Sequence, residues 1–358
     1  MLYRLFKYYK KIITNLIKVQ TEYHGRLRKF VKFIGLLALI VYSENGFAQM
    51  TPLYSHYNLN TYLINPAMAG NEGYTAFTLT AREQWLGMKE SPKTHALSAE
   101  TRLLRNSYIF KSLGIKNKSR HRKRSGRVGL AMYLMNDING LIDRTGLNMT
   151  YGYHISFRYS QLSFGASGIV YQYKIDKDQF ISYSGDDEYL NAIDRAYFIP
   201  DANFGVVYRN QYFLAGLSVS QLFETNVYYL YANDQHEYEQ MKRHYFMFFQ
   251  YQYEMPAVTK MMLEPSILVK TNDYFNSQLD FNFKVYLQNE YWSGFSIRTG
   301  GYGAFVIMAG LKLRQFNIGY AYDYSFSSVK NYSYGSHEIV AGLKFGDNAR
   351  RYRWLNRY

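Results

Sequence analysis

The sequence predicts an all-β fold: a transmembrane antiparallel outer-membrane β-barrel of about 14 strands. Three observations carry this. The chain opens with an export signal, its apolar residues then alternate with period two in segments of about ten residues, and it holds 39 Tyr and 24 Phe in 358 residues. Tyrosine at that level suits a membrane-water boundary, where an apolar ring with a polar tip bridges two phases.

The signal comes first. An apolar core at 33–42 (FIGLLALIVY) follows Arg26, Arg28, Lys29 and Lys32, and Gly46 and Ala48 supply the small residues for cleavage before Gln49. The basic stretch ahead of the core is long for a signal, which points to a start codon placed too far upstream. Loss of 1–48 removes nine Lys/Arg and two Glu, leaving 33 basic and 25 acidic side chains and a net charge of +8. No apolar run reaches the roughly 18 residues of a spanning helix. With no Cys there is no disulfide, thiolate metal site or lipid-attachment thiol.

The strands follow. Segment 145–158 places Leu147, Met149, Tyr151, Tyr153, Ile155 and Phe157 on one face and Asn148, Thr150, Gly152, His154, Ser156 and Arg158 on the other. Segments 279–288, 305–313, 316–324 and 339–345 repeat the pattern. A secreted β-sandwich also alternates. The barrel is favoured by mid-strand charges and small residues such as Gly152, Gly165, Ser167 and Gly319, which suit a wet lumen, and by strand lengths above those of soluble sheets. Strands are expected to start near 74, 94, 127, 145, 161, 202, 211, 242, 259, 278, 290, 304, 315 and 336. The even count puts both ends of the barrel in the periplasm and sends loops 84–93, 136–144, 175–200, 220–240, 271–277, 299–303 and 325–335 outward. The domains are then a signal peptide (1–48), a periplasmic or lumenal lead-in (49–73), the barrel (74–346) and a basic periplasmic tail (347–358).

Parity also puts the connection from Leu104 to Gly126 in the periplasm. It carries Arg105, Lys111, Lys116, Lys118, Arg120, Arg122, Lys123 and Arg124, and the tail carries Arg350, Arg351, Arg353 and Arg357. Such runs are either solvated charge or an electrostatic dock for a periplasmic partner or the headgroups of outer-membrane lipid. On the dock reading Lys116, Lys118, Arg120, Arg122, Lys123, Arg124, Arg350 and Arg351 bind the partner. Nucleic acid is not expected for an exported chain.

Four blocks resemble the PorP/SprF family of type IX secretion system outer-membrane proteins of Bacteroidota. They are 62–70 (YLINPAMAG) with 82–85 (REQW); 200–205 (PDANFG) with 217–220 (LSVS); 263–266 (LEPS); and 319–324 (GYAYDY) through 335–338 (GSHE). The resemblance implies a barrel that works with the type IX apparatus, partnering the C-terminal region of an exported surface adhesin and contacting periplasmic components. The basic 105–124 segment and the tail depart from the family pattern and leave the partner open. Asn65, Pro66, Gly70, Arg82, Trp85, Tyr322, Asp323, Gly335, His337 and Glu338 are its structural positions here.

Physical roles can be given to several of these. Pro66 fixes its own backbone and keeps Asn65 out of the helical region, and Gly70 permits a tight turn. Residues 50–72 read either as a structural lead-in or as a segment that occupies the lumen and contacts cargo. The last strand must pair with the first, so Arg82 is expected to meet Glu338 across the seam inside the lumen, while His337 alternates outward into an aromatic girdle. No enzyme is expected. His337-Glu338 lacks the second histidine of a zinc protease, there is no Gly-x-Ser-x-Gly elbow, and Gly300-Gly301-Tyr302-Gly303 precedes no helix that could bind phosphate. No cofactor or metal is called for. The barrel alone would equally suit a passive channel or a transporter of hydrophobic substrates.

Overall fold

The computed structural model describes residues 52–103, 127–175, 197–230, 236–255, 261–274, 276–300 and 303–345. The strands are β1 (Thr75–Glu83), β2 (Lys93–Arg102), β3 (Val128–Asn139), β4 (Ile142–Ser156), β5 (Ser160–Ile175), β6 (Tyr197–Asn210), β7 (Phe213–Ser220), β8 (Asn226–Leu230) and β9 (His236–Gln240). They continue with β10 (His244–Tyr251), β11 (Tyr253–Met255), β12 (Met261–Asn272), β13 (Gln278–Leu287), β14 (Tyr291–Thr299), β15 (Ala304–Leu313), β16 (Phe316–Ser325) and β17 (Ser336–Phe345).

Fourteen of these close a ring. β1 to β7 pair in sequence order, β7 pairs with β10, β10 with β12, β12 to β17 follow in order, and β17 returns to β1. Every pairing is antiparallel, and closure leaves no edge strand to expose unpaired backbone to lipid. β11 extends the line of β10 against β12, and β8 and β9 form a separate hairpin inside the segment read as the outward loop 220–240. The sixth strand begins at Tyr197, ahead of its expected start near 202. Pro200, which argues against a strand interior, sits near the start of β6 opposite Val170.

Alternation sets the two faces. In β1, Ala76, Thr78, Thr80 and Arg82 are buried, while Phe77 and Leu79 are about half exposed. The same holds round the ring: Leu97, Met132, Met149, Leu217, Ile307 and Ile339 stand outward, where lipid rather than water meets them. Exposed aromatics gather at both rims, with Phe157, Tyr159, Tyr212 and Tyr291 at one and Phe198, Tyr245, Tyr274 and Tyr324 at the other. Turns at the first rim are mostly short (157–159, 211–212, 288–290, 314–315), whereas long loops (84–92, 221–243, 326–335) crown the second. Outer-membrane barrels keep short turns in the periplasm, which makes the first rim periplasmic and the second outer.

The wet lumen inferred from the polar faces needs correction. Residues 52–73 lie inside the barrel, and Asn65, Ala67, Ala69 and Asn71 have no exposed surface. Small and polar lumenal residues are there to seat a segment of the chain.

Candidate functional site

The candidate site is this plug and the strand residues that hold it. Its lower half turns on two short 3₁₀ helices, η1 (Thr61–Leu63) and η2 (Pro66–Met68). Asn65 is extended, its side-chain oxygen accepts from the Ala67 N–H at 2.9 Å, and Pro66 opens η2 where a missing N–H costs nothing. The Asn65 amide also donates to the backbone oxygen of Leu217 at 3.0 Å, and Ser218 Oγ donates to the Ile64 carbonyl at 2.6 Å. Asn65→Ala removes a cap and leaves a buried N–H unpaired, so it should cost about 1–2 kcal/mol, read from the midpoint of urea unfolding.

The wall facing this turn is made of glycine. Gly129, Gly152, Gly165 and Gly205 sit side by side on β3, β4, β5 and β6 as successive cross-strand partners. A Cβ at Gly129 would lie 2.0 Å from the Ala69 oxygen, at Gly165 2.2 Å from the Pro66 carbonyl carbon, and at Gly205 2.2 Å from Asn65 Oδ1. The plug backbone therefore rests directly on the sheet backbone. Gly70 then turns with φ of 63°, its N–H donating to Glu100 Oε2 at 3.0 Å. His154 bridges the Ala69 oxygen and Ser163 Oγ, and Asn71 is held by Ser163, Arg209 and Arg102. At the periplasmic rim Lys344 Nζ lies 2.6 Å from Glu72 Oε2. Burial opposes ionisation of Glu72, but the Lys344 ammonium, joined by the Arg209 and Lys312 charges, outweighs it and holds the carboxyl well below the usual range.

The upper half is held by charge. Arg82 Nη1 donates to Glu338 Oε2 at 3.1 Å and Nη2 to Asp323 Oδ2 at 2.8 Å. Arg298 joins Asp323 at 3.1 Å to Asp280 at 3.2 Å. Ser55 sits in the middle of this chain. Its Oγ is within hydrogen-bond distance of Asp323, Arg82 and Arg298, its N–H donates to Glu338 Oε2 at 2.7 Å, and the His56 N–H donates to Glu338 Oε1 at 2.8 Å. Glu338 has no exposed surface, so these donors replace its water.

The seam argument from sequence thus has its pair: Arg82 and Glu338 are cross-strand partners of β1 and β17 and form an ion pair in the lumen. Asp323 belongs to the same cluster. Ser55, Asp280 and Arg298 were not singled out in the sequence. The signal for Asp280 with Arg298 was present in the alternation, because adjacent strands place them opposite one another, but the register that pairs them needed the structure.

Trp85, Tyr322, Gly335 and His337 serve the outer rim. Trp85 has φ of 55° and its N–H donates to Ser336 Oγ at 3.1 Å. Leu86 N–H donates to the Gly335 oxygen and Tyr334 N–H to the Leu86 oxygen, stitching loops 84–92 and 326–335 together. A Cβ at Gly335, with φ of 85°, would lie 2.7 Å from the Tyr322 ring. His337 turns away from the lumen, with Nδ1 2.7 Å from the Tyr320 hydroxyl and its ring edge-on to Tyr322. Lys116, Lys118, Arg120, Arg122, Lys123, Arg124, Arg350 and Arg351 lie outside the described residues.

Among solved structures the chain is similar to the outer membrane protein Omp33 of Acinetobacter baumannii, at 6% identity over 76% of this chain and 99% of that one, with a TM-score of 0.40. It is similar to a mutant porin of Rh. blastica at 5% identity (76% and 99% covered, TM-score 0.33) and to the beta domain of the Bordetella autotransporter BrkA at 10% (76% and 97%, TM-score 0.35). No curated protein matches the sequence. The family model described as type IX secretion system membrane protein PorP/SprF matches residues 46–343. With that match over most of its length, on a closed barrel with a lipid-facing wall, the chain belongs to the PorP/SprF family of type IX secretion system membrane proteins and is an outer-membrane barrel.

Proposed function

We propose that the protein is a non-catalytic component of the type IX secretion system that partners the C-terminal region of an exported surface adhesin, anchors it at the outer membrane, and contacts periplasmic components of the machinery. The filled lumen carries this reading. A passive channel or a hydrophobic-substrate transporter needs a path, and here the plug backbone lies against the sheet on one side and is tied to buried charges at the outer end. A barrel without a path acts by what it holds at its two rims. Family membership supplies the secretion context. β2 ends, β3 begins and β17 ends at the periplasmic rim, and on this reading Lys116, Lys118, Arg120, Arg122, Lys123, Arg124, Arg350 and Arg351 meet acidic surfaces of periplasmic partners.

Purification of the tagged protein followed by mass spectrometry should recover one surface protein in stoichiometric amount together with periplasmic components. Recovery of the barrel alone, with steady ion conductance in planar bilayers, would sink the proposal in favour of a channel. Replacing the eight basic residues with Ser should remove the periplasmic components and leave the surface protein. Unchanged co-purification would show that these charges are only solvated.

A further inference from the structure

We infer that the plug is threaded with its amino-terminal end outward, so that the chain before Pro52 leaves the barrel at the outer mouth and the amino terminus of the processed protein stands on the cell surface. Each group that grips Ser55 lies near an outer strand end. Arg82 is next to last in β1, Arg298 next to last in β14, Asp323 stands near the end of β16, and Glu338 near the start of β17. The other end of the plug meets the opposite rim. Gly70 bonds Glu100 and Asn71 bonds Arg102 near the close of β2, and Glu72 pairs with Lys344 at the close of β17, just before β1 sets out from Thr75.

Residues 55 to 72 therefore cross the barrel from the outer to the periplasmic rim, opposite in direction to β1. For the amino terminus to lie in the periplasm, the preceding chain would have to pass back down the same lumen. That space is taken: the plug turn sits on the glycine row without room for a Cβ, and Trp292, Val306, Met308 and Ala321 close the facing side around Leu59. A further consequence concerns assembly. A leader bearing an apolar core and nine basic residues could not be drawn through this lumen, so its removal must precede closure of the barrel around the plug.

The absence of Cys makes the test direct. Single-cysteine proteins Gln49→Cys, Thr51→Cys, Lys89→Cys (outer loop 84–92) and Glu290→Cys (periplasmic turn 288–290) are produced in cells and checked for the heat-sensitive gel migration of a folded barrel. They are then treated with a membrane-impermeant maleimide. On intact cells Gln49→Cys and Thr51→Cys should label as completely as Lys89→Cys, with labelling of Glu290→Cys lost until the outer membrane is permeabilised. The inference is overturned if both amino-terminal variants stay silent on intact cells and label with Glu290→Cys after permeabilisation. It is equally overturned if Glu290→Cys labels on intact cells and Lys89→Cys does not.

Discussion

Replacing Arg82 with Met is expected to destabilise the plugged barrel by about 3–5 kcal/mol, the usual cost of removing one partner from a buried ionic cluster. Two guanidinium groups, Arg82 and Arg298, serve three carboxylates, Glu338, Asp323 and Asp280. Without Arg82, Asp323 keeps Arg298, but Glu338 is left with the N–H groups of Ser55 and His56 and no cation in contact among the described residues. Ser55 Oγ loses a donor at the same time. Trp292 offers the readout, since it is buried edge-on to His56 at 5.5 Å. In a background with Trp85 and Trp354 changed to Phe, its fluorescence reports seating of the plug during urea unfolding. Arg82→Met combined with Glu338→Gln should recover much of the loss, because a neutral amide no longer demands a cation. Arg82→Lys should fall between the single and double replacements, as one ammonium cannot bridge two carboxylates in the planar fork that Arg supplies. A loss under about 1 kcal/mol for Arg82→Met would mean that the cluster is already hydrated and that Ser55 is not held by it.

The barrel was legible because its physics is local. Outward residues meet lipid and inward ones do not, so each strand advertises its face with period two, and closure follows from counting. The Arg82 to Glu338 pair came from the same reasoning, since the first and last strands must be neighbours. Lumen occupancy by residues 50–72 was one of two readings that the sequence left open, and nothing local could decide between them. Residues 52–73 show neither period two nor a helical repeat, and their partners are distributed over β1, β2, β4 to β7, β12, β14, β16 and β17. Gly152 and Gly165 were read as residues a wet lumen tolerates, whereas they are residues a backbone contact demands. Sequence alone cannot separate these, because both leave the lumenal position small. The hairpin of β8 and β9 stayed hidden for a different reason: it forms its own two-stranded sheet apart from the ring, so counting the strands of the barrel does not reach it.

Gly165→Leu is expected to unseat the plug and make the barrel conduct. Its Cβ would fall 2.2 Å from the Pro66 carbonyl carbon and 2.3 Å from the Ala67 nitrogen, and both are backbone atoms with no rotamer to escape into. Overpacking of this kind costs about 1–3 kcal/mol where side chains can adjust, and a rigid contact offers less adjustment than that. Gly168→Ala is the matched control. It lies on the same strand but faces outward, with nothing within 4 Å of an added Cβ. In planar bilayers the unaltered protein and Gly168→Ala should stay closed, while Gly165→Leu should open and still migrate as a folded barrel. The reason it should open rather than unfold lies in the lumenal faces. Arg82, Arg298, Asp323 and Glu338 are costly only while the plug keeps water out, and once it leaves, water solvates them and the strand ladders remain intact. A Gly165→Leu protein as stable and as silent as Gly168→Ala would show that the plug can sit away from the sheet, and the glycine row would then have no part in holding the lumen shut.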